Sequence, residues 1–322
     1  MEFMLMKRFC SVALAVAALA LFATPALADN GTNALKAAPA NTVMALHFNA
    51  KRLSKSPLFQ EVMAQAKQTQ DVKKGLAEME AKLGFNPERD LEGVTVLVPT
   101  DISGGGKPTI IVTGSFNVAK AEAEIKGDKK FTIKTLGGQK AYVGKDGMAM
   151  VFSKSRVVFA PAEAIGNVVL SKGGVAALSS LSNTVDRSKD VWFAANIDDK
   201  MRQSMGANPM IKDLKTLRGS LDLAKGLGLN LNVGVATAAT ATNLAKMGQM
   251  QLDQGAKDPA MGAMGMGGFI SKIAIAAKGT DVAVDLNLNQ AEVNQLKMMA
   301  MMMTGMGAAA GAKAAPAAAP KK

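Results

Sequence analysis

The sequence predicts an α+β protein made of two similar modules of antiparallel sheet, with helices packed on one face. Three observations carry that expectation. The hydrophobic pattern changes from period 3.6 to period 2 after Pro87, strictly alternating segments recur in the second half, and a strand-to-helix passage near Met44 returns near Phe193. The chain has 322 residues, 48% hydrophobic and 20% charged, a balance that excludes disorder throughout and a collagen-like repeat.

The first segment reads as an address. Met6-Lys7-Arg8 supplies a basic start, Val12 to Phe22 an apolar run about half the length of a membrane span, and Ala26-Leu27-Ala28 a small-x-small cleavage site after Pro25. Cleavage between Ala28 and Asp29 is expected, which makes the protein periplasmic or secreted. Cys10 precedes the apolar run, so no lipid anchor at the cleavage site is implied. Loss of Lys7, Arg8 and Glu2 takes the formal charge from +12 to +11, and the sole cysteine leaves with the same segment. The mature chain must then rely on its core rather than on disulfides, which about 290 residues can build.

After a flexible start, Thr42 to Phe48 is expected to form a strand. Ser56-Pro57 opens a helix over Leu58, Phe59, Val62, Met63 and Ala66, and a second helix carries Val72, Leu76, Met79 and Leu83 up to Gly84. Strands follow at Val94–Val98, Thr109–Phe116, Phe131–Lys134, Lys140–Val143, Met148–Phe152 and Val157–Ala160, with helices at Val118–Lys126 and Pro161–Leu170. Met44 to Lys51 lies over Phe193 to Lys200 with inward and outward positions in step, which marks the start of the second module. Leu227 to Val235 and Val282 to Leu288 alternate large apolar residues with Gly, Asn, Asp or Ala, the signature of a strand with one dry and one wet face. Asn289 and Glu292 form a capping box for a last helix bearing Val293, Leu296, Met299 and Met303. The expected organisation is a signal peptide at 1–28, modules at 29–185 and 186–305, and a disordered Ala/Gly/Pro/Lys tail at 306–322.

Pro39-Ala40-Asn41-Thr42-Val43 with Leu53, Ser56, Pro57 and Leu58, and Leu83-Gly84-Phe85-Asn86-Pro87 through Asp90-Leu91 to Val94-Thr95-Val96, resemble a loose group of exported bacterial proteins with duplicated α+β domains. The likeness covers about 60 residues. It implies a fold and export, and it carries no activity, cofactor or site residue.

Candidate chemistry is sparse because the chain holds one His, one Trp, one Tyr and one Cys beside 22 Met and 31 Gly. Any Ser-His-Asp arrangement must run through His47, so a hydrolase using His47 is one alternative; a structural histidine on a sheet face is the plainer reading. Ser103-Gly104-Gly105-Gly106-Lys107 imitates a phosphate loop, but Pro108 stands where Ser or Thr is needed and a strand follows, so a hairpin turn is expected. The acidic pairs Asp198-Asp199 and Glu78-Glu80 read as a strand end and a solvated helix face. A glycosidase would lack aromatic platforms. Met261, Met264 and Met266 in a Gly-rich stretch could hold Cu(I), although core filling explains them without a metal. Met298, Met299, Met302 and Met303 wrap a helix and suggest contact with a partner or lipid. The positive charge is spread without aromatic interleaving, which argues against nucleic acid and is compatible with an envelope protein, anionic lipid or a wall polymer. The expectation is an exported, non-enzymatic binding or scaffold protein without cofactor, with Cu(I) binding as the other alternative.

Overall fold

Helix α1 (Asn30–Lys36) stands where a flexible start was expected, and the sequence explains it once its contacts are known. Ala34, Leu35, Ala37 and Ala38 are all buried, so small residues let the helix lie close against the sheet. The structure, a computed structural model, describes residues 30–299 apart from 102–104, 127, 129, 205–211 and 264. The signal peptide with Ala28 and Asp29, Met264, Met302, Met303 and the tail at 306–322 lie outside the described residues.

The first half continues with β1 (Thr42–Phe48), α2 (Ala50–Leu53), α3 (Pro57–Ala66), α4 (Gln70–Leu83), α5 (Pro87–Asp90), β2 (Leu91–Pro99) and β3 (Thr109–Gly114). It is completed by α6 (Val118–Lys126), β4 (Phe131–Leu136), β5 (Gln139–Gly144), β6 (Met148–Phe152), β7 (Arg156–Pro161), α7 (Ala162–Val169) and α8 (Ala176–Ser182). The local signals explain several boundaries. Pro87 follows Asn86, whose side chain accepts from the Glu88 N–H at 3.0 Å. Gly84 ends α4 in the left-handed conformation at φ 63°.

The second half runs β8 (Val191–Asn196), α9 (Asp199–Ser204), β9 (Leu214–Asp222), β10 (Gly226–Val235), α10 (Ala238–Lys257), α11 (Pro259–Ala263), α12 (Gly267–Ile270), β11 (Ile273–Lys278) and β12 (Asp281–Asn289). Residues 290–299 form a last helix, α13. Its capping box is as expected: the Glu292 N–H donates to Asn289 Oδ1 at 3.1 Å, and the Asn289 N–H donates to Glu292 Oε2 at 2.8 Å.

The twelve strands among the described residues join one antiparallel sheet in the order β11-β12-β10-β9-β8-β1-β2-β3-β7-β6-β5-β4. The α+β class therefore holds, with the two halves meeting edge to edge where β1 pairs with β8. Connectivity repeats across that seam. In each half the third strand is followed by a helix and then paired with the half's last strand, β3 with β7 and β10 with β12. The alignment of Met44 with Phe193 makes Ala45 equivalent to Ala194, and these two residues sit directly opposite each other at the seam.

Alternation divides the apolar side chains between the sheet's two faces. Ala45, Ile111, Val151, Val158, Trp192 and Ala194 pack under α1, α7 and α8, while Phe48, Val94, Ile110, Val112, Met150 and Val191 pack against α2, α4 and α6. The first half is thus covered on both faces, which adds a helical layer to the one-face arrangement of the second. In the second half α10, α12 and α13 all lie on a single face, with Val233, Val282, Leu227 and Leu288 beneath them. The reverse face of those strands carries Arg218, Asn230, Asn232, Asp285 and Asn287, as the polar side of the alternation required, with Ser220 and Ala283 buried among them.

Candidate functional site

His47 lies opposite Met44, Leu46 and Phe48, as alternation required, but its face is dry. The side chain is 4% exposed under α1, stacked on Trp192 with ring centroids 5.5 Å apart, and its Nδ1 is 2.9 Å from Thr95 Oγ1. A Cβ on Gly31 would overlap the Trp192 ring, so glycine is what lets α1 seal this place. Burial lowers the imidazole pKa to about 4, leaving it neutral at pH 7. The hydroxyl near it belongs to Thr95, and α1 and Trp192 pack over the ring.

The other sequence candidates fall into structural places. Gly105-Gly106-Lys107 belongs to the β2–β3 hairpin, with Ser103 and Gly104 outside the described residues; Lys107 Nζ donates to the Asp146 carbonyl. Asp198 accepts from the Met201 N–H at 2.8 Å to start α9, and Asp199 pairs with Arg202. Glu80 accepts from Asn86 Nδ2 and faces Arg89 at 3.5 Å. Among the described residues no group of three His, Cys, Asp or Glu is placed to hold a metal ion.

A charged cluster that the sequence did not reveal joins the halves. Arg52 in α2 donates through Nε to Asp190 Oδ1 at 2.8 Å and through an Nη to Asp222 Oδ1 at 3.0 Å, and Lys189 reaches Asp222 Oδ2 at 2.9 Å. Asp190 is fully buried and also accepts from the Leu223 N–H. Burial pushes its carboxyl up, against the pull of Leu223 and Arg52. Asp222 is less buried; burial works against its charge, yet Lys189, the Ala224 N–H and Arg52 hold it down at about 2. This cluster borders a cleft of about 660 Å³ walled by Ser220, Lys225, Asn230, Lys272 and Asn287. Most of its charge is already matched, since Lys272 pairs with Glu292 and Asn230 donates to Asp285. A second cleft of about 550 Å³ lies between Pro39, Pro99, Lys107, Asp146 and Glu163.

The most distinctive surface is apolar. On the helix-bearing face of the second half, three neighbouring cross-strand rows run without a charged residue. They are Phe48-Val191-Leu221-Leu229-Leu286-Ile273, Leu46-Phe193-Gly219-Leu231-Val284-Ile275 and Met44-Ala195-Leu217-Val233-Val282-Ala277. Helices cover the two ends of this area, α10 over Val233 and Val282, and α12 with α13 over Leu286 and Leu227. Between them Met44, Phe193, Leu217, Leu229, Leu231, Val284 and Ile273 stay partly exposed and belong to none of the packed clusters. Six strands at the usual spacing make this trough about 24 Å long. Phe193 lies across Gly219, where an added Cβ would come within 2.8 Å of the ring's Cζ.

No protein-family model matches the chain, and no curated protein sequence does. A solved structure described as "Structure of crystal form I of TP0453" is similar over 83% of this chain and 96% of its own, at 9% identity and a TM-score of 0.44. No activity is carried across at that distance. Among the described residues no helix is long and apolar enough to cross a membrane.

Met63 and Met150 are core residues, whereas the described methionines of α10, α12 and α13 flank the trough. Met247 and Met250 are exposed on α10 and Met298 on α13, while Met299 and Met266 pack against Phe269 and Val293 at the α12–α13 end. Of the four positions singled out for partner or lipid contact, Met298 is 58% exposed and Met299 partly buried.

Proposed function

We propose that the protein is an exported, non-enzymatic binding protein of the periplasm or envelope, and that its ligand is an anionic amphiphile whose acyl chain lies in the apolar trough. The observation that carries this reading is the set of seven apolar side chains, Met44, Phe193, Leu217, Leu229, Leu231, Val284 and Ile273, left partly exposed in three uncharged rows between the helical covers. Burial of an alkyl chain contributes about 0.8 kcal/mol per methylene, so ten methylenes give about 8 kcal/mol. Association costs roughly 4–15 kcal/mol, and the head group must therefore contribute as well. A formal charge of +11 after cleavage favours an anionic head. Lys215 is exposed at the irregularity that opens β9, next to Leu214, which packs under α10, and its carbonyl accepts from the Ile197 N–H beside α9, where Lys200 is also exposed. His47, sealed and neutral, supports the non-enzymatic side of the proposal.

The test is solvent extraction of the purified protein with mass spectrometry, followed by titration with a fluorescent fatty acid. Acyl lipid should co-purify, and Leu231→Asp, with unchanged circular dichroism, should weaken binding at least tenfold. Saturable binding absent from the wild type would overturn the proposal. Hydrolysis of esters or peptides that is lost in His47→Ala would overturn its non-enzymatic part.

A further inference from the structure

Two methionine groups some thirty residues apart in sequence meet in the fold. The first lies around α11, where the Met266 N–H donates to the Met261 carbonyl at 2.9 Å and closes a tight loop. The second is on α13. Gly265, left-handed at φ 71°, faces it so closely that an added Cβ would lie 3.4 Å from Met299 Sδ. Met266 and Met299 pack in one cluster with Phe269, and Met261, Met266 and Met299 are each neither fully buried nor fully exposed.

We propose that Met261, Met266 and Met299 form a thioether site for a soft monovalent cation, Cu(I) or its redox-inert counterpart Ag(I). Thioethers are soft, neutral donors, and the absence of a cluster of three His, Cys, Asp or Glu among the described residues leaves harder divalent ions without a competing set. A thioether has no proton to lose near neutral pH, so uptake is independent of pH in that range, unlike binding to histidine or thiolate. Of the sequence grouping Met261, Met264 and Met266, Met264 lies outside the described residues, Met261 is tied to Met266 through the backbone, and the fold brings Met299 to the same loop. Packing alone would use the same residues differently. A leucine of similar volume replaces methionine in a core at little cost, whereas a thioether ligand has no substitute in leucine.

The test is titration of the full chain with Cu(I) under ascorbate, and separately with Ag(I), against a competing chelator. One equivalent should bind to the wild type at both pH 5.5 and pH 7.5. Met266→Leu and Met299→Leu should each weaken uptake by at least about tenfold, the lower range for loss of even an outer partner of a metal site. Met250→Leu, on the exposed side of α10, should leave uptake unchanged. The proposal is overturned if the wild type takes up neither ion, if Met266→Leu and Met299→Leu bind as the wild type does, or if Met250→Leu loses uptake equally.

Discussion

His47 and Gly219 illustrate how single residues are fixed by what lies across the sheet. Because burial lowers the His47 pKa to about 4 against 6.5 in an unfolded chain, the unfolded state binds the proton first on acidification. Its contribution is therefore intact above about pH 6.5 and is lost progressively as the pH falls towards 4, to a total of about 3 kcal/mol. Urea denaturation at pH 7 and pH 4.5 should show this loss, and His47→Gln should flatten that part of the profile. An equally steep profile in the variant would place the proton uptake elsewhere. Gly219→Ala would push a methyl group into Phe193 and the Asn230 carbonyl, and a loss of about 1–3 kcal/mol is expected in the same assay. The sequence revealed that His47 and Phe48 point to opposite faces; it did not reveal that the His47 face is dry, because α1, His47 and Trp192 are brought together from three separate segments.

Elements with strong local signals are where the sequence placed them. The first strand, the helix at Val118–Lys126 and the strand at Met148–Phe152 match residue for residue, and the Asn289–Glu292 box caps α13. Missing from the sequence reading are the short helices α5, α11 and α12, and with them α1, α8, β9, β11 and α10, the last of these 20 residues long. Their patterns are weak for a physical reason. The side of α10 against the sheet carries Leu244 beside Ala241, Ala245 and Gly248, the last with Ile275 in the space of its missing side chain, so close approach replaces most of a stripe of large residues. In β9, Thr216, Arg218, Ser220 and Asp222 on the wet face alternate with Leu217, Gly219 and Leu221, and the central glycine interrupts the apolar row. The cluster around Arg52 ties α2 to the start of β8 and the end of β9. Arg52→Ala strands the buried Asp190, and a loss of about 3 kcal/mol is expected. Asp190→Asn in the Arg52→Ala background should recover part of it, and no recovery would mean that the loss came from packing of the Arg52 stem.

For the whole molecule, the seam between β1 and β8 decides the architecture. Each half ends in an unpaired strand when the other is absent, and such edges seek partners. Fragments covering the two halves, 29–185 and 186–305, should be aggregation-prone alone and associate when co-expressed; two monomeric, independently folded fragments would contradict a sheet shared through this seam. The trough follows from the same arrangement, since its rows begin on β1 and end on β11.

The sequence by itself determined the α+β class, the repeat of strand and helix order, and the dry and wet faces of β10 and β12, because residue spacing directly sets which way each side chain points. Only the tertiary structure decided that the two halves share one sheet, that α1 closes over His47, and that Met299 meets the Met261–Met266 loop. Those are contacts between segments far apart in the chain, selected by shape and by the area each removes from water. A periodicity within one segment says which face is apolar; it does not say what will cover that face.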